Sequence, residues 1–125
     1  MKKLYILTII VLLAGCSMLA PNFDNHEYSG FVTLNTHAEY LKEECGTGGE
    51  FHRLKFMKFK SASLLTYATH IPNNAEIIGM ATIINDDILE MDKRGHNMSV
   101  TYCQLKAKQL LIKLNEALDS IGNLN

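Results

Sequence analysis

From Ile77 onward the apolar residues fall into two long stripes of helical period. Ile77, Ala81, Ile84, Ile88 and Met91 recur at spacings of four and three, which places them on one side of an α-helix. Asn73 or Asn74 can cap this helix, Glu76 stands in its first turn, and Lys93 and Arg94 close the last turn, where cations favour the helix dipole. Gly95 then stops it. Val100, Cys103, Ala107, Leu110, Leu111, Leu114, Ala117, Leu118 and Ile121 mark a second apolar face, so a further helix is expected from Asn97 or Ser99 to about Ile121. At 1.5 Å per residue it would be about 35 Å long.

The upstream pattern is less regular. Thr36 followed three residues later by Glu39 is a capping-box signature, and Leu34, Ala38, Leu41 and Cys45 repeat at spacings of four, three and four. A first helix is therefore expected within residues 32–45, with Gly46 as its cap and Gly46-Thr47-Gly48-Gly49 as a turn. Phe51, Leu54, Met57, Leu64, Leu65 and Ala68 suit another helix, although Arg53 to Lys60 alternates locally as a strand would. Length and the scarcity of β-branched residues favour helix over 51–70, ending at Ile71-Pro72 because the residue before proline avoids helical dihedrals. Residues 17–30 show no period and read as a tether from which Phe23 and Tyr28 could dock.

Four helices with short connections make an all-α protein, a small up-and-down bundle. A first helix starting at Thr36 is much shorter than the last one. The lower part of the last helix, from Leu114 to Ile121, is then either covered by Phe31, Val32 and Leu34 or left as an open apolar groove suited to a partner's amphipathic helix. Leu34, Leu41, Ile84, Leu114 and Leu118 are the expected groove residues.

The head of the chain follows another logic. Lys2 and Lys3 precede an apolar run from Leu4 to Leu13 and then small residues, the layout of a secretory signal peptide. The run is too short to span a bilayer comfortably. Leu13-Ala14-Gly15-Cys16 resembles the bacterial lipobox, in which the cysteine thiol is diacylated, the chain is cut before it, and the new amino group is acylated. The alternatives are an ordinary cleaved signal in which Cys16 is incidental, or an uncleaved anchor helix. The lipobox reading divides the chain into a cleaved signal over 1–15, a lipidated Cys16 with a tether over 16–30, and a helical domain over 31–125. Stable anchoring takes more than one acyl chain, since each buried methylene contributes only about 0.8 kcal/mol. In the lipoproteins it resembles, a residue other than Asp after the cysteine directs the protein to the outer membrane, and here that residue is Ser17. The expected place is thus the periplasmic face of the outer membrane.

Without residues 1–15 the balance is ten Lys and Arg against thirteen Asp and Glu, a net charge of −3 that gives no reason to expect nucleic acid. Two cysteines remain beside Cys16, and an exported protein meets an oxidising compartment. Cys45 and Cys103 either pair with each other or stay as buried free thiols. An up-and-down bundle places the end of the first helix beside the start of the last, which would bring the two together.

Candidate chemistry is sparse. The five histidines, His26, His37, His52, His70 and His96, have no metal-pair spacing, and no phosphate loop, Gly-x-Ser-x-Gly or His-Glu-x-x-His motif occurs. No catalytic residue, metal ligand, cofactor or small-molecule substrate is therefore assigned. Arg53, Lys55, Lys58 and Lys60 could face anionic lipid or an acidic partner, but among Leu54, Phe56, Met57 and Phe59 they read more simply as a solvated helix face. Asp86, Asp87, Glu90 and Asp92 read as the wet side of their helix.

Tyr40-Leu41-Lys42-Glu43-Glu44-Cys45 is similar to the Leu-Lys-x-x-Cys that ends the first helix of the PulS/OutS-type pilotins, small helical lipoproteins that escort secretin subunits of type II secretion systems to the outer membrane. A second cysteine follows at a similar distance in Val100-Thr101-Tyr102-Cys103, at the head of the last amphipathic helix. The likeness covers about residues 36–120 and implies a disulfide between Cys45 and Cys103. It also implies a function without catalysis, in which the secretin's C-terminal segment folds as a helix onto the bundle and the acyl chains on Cys16 carry the complex to the outer membrane. An exclusion or immunity lipoprotein, plasmid- or phage-encoded, that blocks a transfer machine or toxin from the periplasmic face would make the same demands on the sequence.

Overall fold

The computed structural model describes residues 22–124. The expected signal over 1–15, the expected lipidation site Cys16 and the first part of the expected tether lie outside the described residues. Helix α1 spans Asn25–Glu44, α2 Gly49–Thr69, α3 Ala75–Arg94 and α4 Val100–Gly122, with a 3-10 turn at Gly95–Asn97 before α4. Among the described residues there is no strand, and the segment that alternates around Arg53 to Lys60 lies inside α2. No helix there is long and apolar enough to cross a membrane.

The first helix begins well before the expected 32–45, inside what reads as tether. Its cap is Asp24, whose carboxylate accepts from the Glu27 N–H at 2.9 Å, so Asp24-x-x-Glu27 starts the helix and Thr36-x-x-Glu39 does not. Thr36 sits mid-helix with its hydroxyl donating to the Val32 carbonyl at 3.1 Å. The early turns carry Glu27 and Gly30 at inward positions, which hides the stripe from a search for apolar residues. Gly30 is there for space: a Cβ on it would lie 2.7 Å from Leu64 Cδ1 of α2, so the two backbones come together at this point. Phe23 and Tyr28 do dock, packing against the core with their rings 5.7 Å apart.

A turn and a cap set two of the remaining boundaries. Gly46 and Gly48 adopt φ of 85° and 91°, and the Glu50 carboxylate reaches back to accept from both N–H groups, at 3.3 and 2.8 Å. Asn74 precedes α3, but its side chain does not cap that helix; it is used elsewhere, as described below. Ser99 caps α4 by accepting from Tyr102 N–H at 3.1 Å.

Cross-helix pairs fix the topology. Glu44 meets Arg53 and Asp24 meets Tyr67 between α1 and α2; Lys58 meets Asp92 and Ser61 meets Asn85 between α2 and α3. Asp87 meets Lys113 between α3 and α4, and Asn35 meets Asn115 between α4 and α1. With Glu90–Lys106 added to the third seam and Cys45–Cys103 to the last, the partner's number falls along each seam as the residue's own number rises, so all neighbours are antiparallel and α1 against α4 closes the ring. Helices α2 and α4 thus occupy opposite corners. The core runs the length of the ring, with Phe31, Met57, Ile88, Met91, Leu110 and Ile121 among its fully buried side chains.

Cys45 and Cys103 form a disulfide with Cα atoms 5.8 Å apart, well within bridging distance. It staples the end of α1 to the first turn of α4. On the chain-entropy account, closing a loop whose ends are 58 residues apart stabilises the fold by about 4 kcal/mol.

Candidate partner-binding surface

The groove expected between the first and last helices is closed. Leu34, Leu41 and Leu114 are 0 % exposed and Ile84 is 1 %, so these four are core residues; Leu118 is half-buried and packs on the same core. The physical reason is the length of α1, which begins at Asn25 and runs alongside the lower part of α4. Phe31 and Leu34 supply the cover, while Val32 points outward.

Larger surface clefts of about 430 and 450 Å³ lie on the α2–α3 face around Lys58 and Asp92. On the last helix's own side, an opening lies at the outer edge of the seam between α3 and α4. Met80, Ile83, Ile84, Lys113 and Glu116 line a small cleft of about 80 Å³ there. Ile83 is 53 % exposed at its lip, and Ile84, one of the groove residues expected from the sequence, forms part of its wall. Asp87 pairs with Lys113 across the seam, and Lys106 with Glu90 at 3.7 Å. Arg94 lies 3.9 Å over the ring of Tyr102 at the top of the same seam. The acidic residues of α3, read in the sequence as a wet side, therefore serve in part as rungs to α4 and to Lys58 of α2. Chemically the cleft can seat one small aliphatic side chain, with Glu116 on its wall to favour a cationic neighbour and Lys113 held by Asp87. Ile83 lies beside the buried stripe rather than on it, so periodicity does not single it out.

Two polar clusters flank the α1–α2 pair. Near the disulfide, Glu44 accepts from Arg53 through both carboxylate oxygens, at 3.0 Å from Nε and 2.5 Å from Nη2. Arg53 Nη1 lies 2.9 Å from His37 Nδ1, which sets that nitrogen as acceptor, and the His37 ring stacks on Phe56 at 4.3 Å. Hydrogen bonding from Arg53 holds the Glu44 carboxyl below its usual range. Burial, and then the Arg53 charge, hold the His37 imidazole below its own. These groups and His52 surround a shallow cleft on the outer α1–α2 surface.

At the other end Glu27 is buried. One carboxylate oxygen accepts from Asn74 Nδ2 at 2.7 Å, and the same amide donates to the Ala68 carbonyl at 2.9 Å. The other oxygen, Oε1, is buried with no hydrogen-bond partner. Burial pushes the Glu27 carboxyl up, the Asn74 hydrogen bond opposing and the nearby Asp24 charge adding to it. Asp24 accepts from the Tyr67 hydroxyl at 3.1 Å, and His26 lies against the Tyr67 ring at 4.3 Å. Sequence reading missed this cluster, and the Asp24-x-x-Glu27 spacing was the signal that could have found it.

Among the described residues no three His, Cys, Asp or Glu side chains converge in a way that could hold a metal ion. Comparison with protein-family models, curated proteins and solved structures found no match.

Proposed function

We propose that this chain is a lipid-anchored binding and escort module, without catalysis of its own, that acts at the periplasmic face of the outer membrane as the pilotins do. The observation that carries this reading is the disulfide between Cys45 at the end of α1 and Cys103 at the head of α4, in a bundle that follows a Leu13-Ala14-Gly15-Cys16 leader. Acyl chains on Cys16 supply transport, and the bundle supplies a surface. The partner is a secretin's C-terminal segment, folding as an amphipathic helix along the α3–α4 seam. Its apolar anchors fall on Ile83 and the cleft beside it, and a basic residue on its flank faces Glu116. Because the core is closed, the helix docks on the outside of the bundle.

Two variants test the two halves. Ile83→Asp, with helicity checked by circular dichroism, should weaken capture of a secretin C-terminal peptide at least about tenfold, as loss of a central apolar anchor does. Cys16→Ser should leave that capture intact while secretin multimers mislocalise. Unchanged outer-membrane secretin in Cys16→Ser, or recovery of a toxin or transfer-channel protein in place of a secretin, would overturn the pilotin reading.

A further inference from the structure

Helix α2 carries four cations, Arg53, Lys55, Lys58 and Lys60, and one acid, the buried Glu50, in a domain that is otherwise acidic. Arg53 and Lys58 are bound to Glu44 and Asp92. Lys55 and Lys60 have no carboxylate partner among the described residues. Between them stands Phe59, 74 % exposed, the most exposed large apolar side chain described, with Phe56 one turn away at 43 %. The outward ridge of α2 from His52 to Thr69 contains no acid at all. The neighbouring outward residues of α1, Ser29, Thr33 and Thr36, are uncharged. On the other flank α3 brings Asp92, which pairs with Lys58 and lines a cleft with Lys55 and Phe59, so the excess positive charge of the ridge rests on Lys55 and Lys60. A basic, aromatic ridge of this kind binds the surface of an anionic bilayer, phenylalanine entering the headgroup layer and lysines meeting lipid charge.

The position of the ridge relative to the anchor makes the occupant specific. Asn22 is six residues from Cys16, a reach of roughly 20 Å at full extension. The chain enters the bundle beside the C-terminal end of α2, where Asp24 holds the Tyr67 hydroxyl at 3.1 Å. Phe59 lies ten residues before Thr69, about 15 Å along the axis from that entry. A domain tethered so closely can lie down on α2. The diagonal helix, α4, then points away from the bilayer, with Leu105 and Ile112 on its outward side.

Resting on the Cys16 anchor proposed above, the geometry points to the outward ridge of α2, centred on Phe59, Lys55 and Lys60, as a docking face for the anionic lipid surface in which that anchor sits. Docking fixes the orientation of the tethered domain and leaves the α3–α4 seam open to the periplasm for a protein partner.

The chain contains no tryptophan, so a single one reports its own surroundings. Lipidated protein carrying Phe59→Trp or Ile112→Trp is reconstituted into vesicles of phosphatidylcholine alone or with phosphatidylglycerol, both with brominated acyl chains. Emission from position 59 should be quenched severalfold more than from position 112, and only with phosphatidylglycerol present. Lys55→Gln and Lys60→Gln should each lower the docked-to-undocked ratio about fivefold. The mass of the mature protein reads the anchor independently. An unacylated Cys16 overturns the anchor and the docking together. With Cys16 acylated, equal quenching at both positions, quenching at neither, or quenching indifferent to lipid charge overturns the docking alone.

Discussion

The two ends of the bundle are closed by opposite means. At one end a covalent bond joins Cys45 to Cys103, and the ionic groups beside it, Glu44, Arg53 and His37, stay near the surface. At the other, where the chain enters, no covalent link exists among the described residues. There a buried carboxylate is held by the amide of Asn74, and one of its oxygens has no partner. Exposed ion pairs cost little to form and contribute little, whereas a buried, half-satisfied carboxylate puts a titratable weakness inside the fold. Protons therefore act on the two ends in opposite senses. Glu44 and His37 have folded-state pKa values below their unfolded ones, so the stability they contribute is present above the unfolded values and is lost as pH falls. Glu27 has a folded-state pKa above its unfolded one, so its contribution is complete in acid and is lost as pH rises through the folded value.

The largest test removes the covalent closure. Replacing Cys45 and Cys103 together by alanine should lower the unfolding free energy by about 4 kcal/mol, read by urea denaturation. Hydrogen exchange should then speed up first in the last turn of α1 and the first turn of α4. Equal acceleration at the Glu27 end would erase the distinction between the ends. A smaller effect is expected from Glu27→Gln, which keeps an oxygen for Asn74 but cannot ionise. As pH rises from 4.5, the unfolded value for Glu27, the wild type should lose stability that the variant keeps, so the difference between them moves in the variant's favour toward neutral pH. A difference that moves in the variant's favour toward acid instead would show that burial of the carboxylate is not what limits this end. The smallest effect belongs to Arg53→Met, worth less than about 1 kcal/mol and shrinking further in salt. It should nevertheless raise the His37 pKa toward its usual value by removing the adjacent guanidinium, as followed by NMR titration of the ring.

How much of this was legible in the sequence depends on what each residue does to the hydrophobic pattern. The stripe from Ile77 to Met91 and the one from Cys103 to Ile121 face a single core, so period and burial coincide and both helices fall where expected. The disulfide was readable because cysteine count and antiparallel topology converge on one pairing. The beginning of α1 was hidden because its inward positions include a carboxylate and a glycine. Neither residue is apolar; one is buried through an amide from another element, and the other makes room for Leu64. The error over the groove followed directly, since a helix begun too late leaves Leu114 seemingly bare. The surface residues, Ile83 at the seam and Phe59 on the α2 ridge, depend on which neighbours a helix finds, and no local pattern encodes that.

The position of the Cys45–Cys103 bond also has a mechanical meaning. A pull on the N-terminal side of the bundle would peel α1 away from Asn25 onward, one turn at a time, as far as Cys45. There the load would pass through sulfur straight to Cys103, bypassing the turn at Gly46–Gly49, α2 and α3. On the lipid-anchored function proposed above, that bond is a stop against unravelling, with half the bundle in the slack loop behind it.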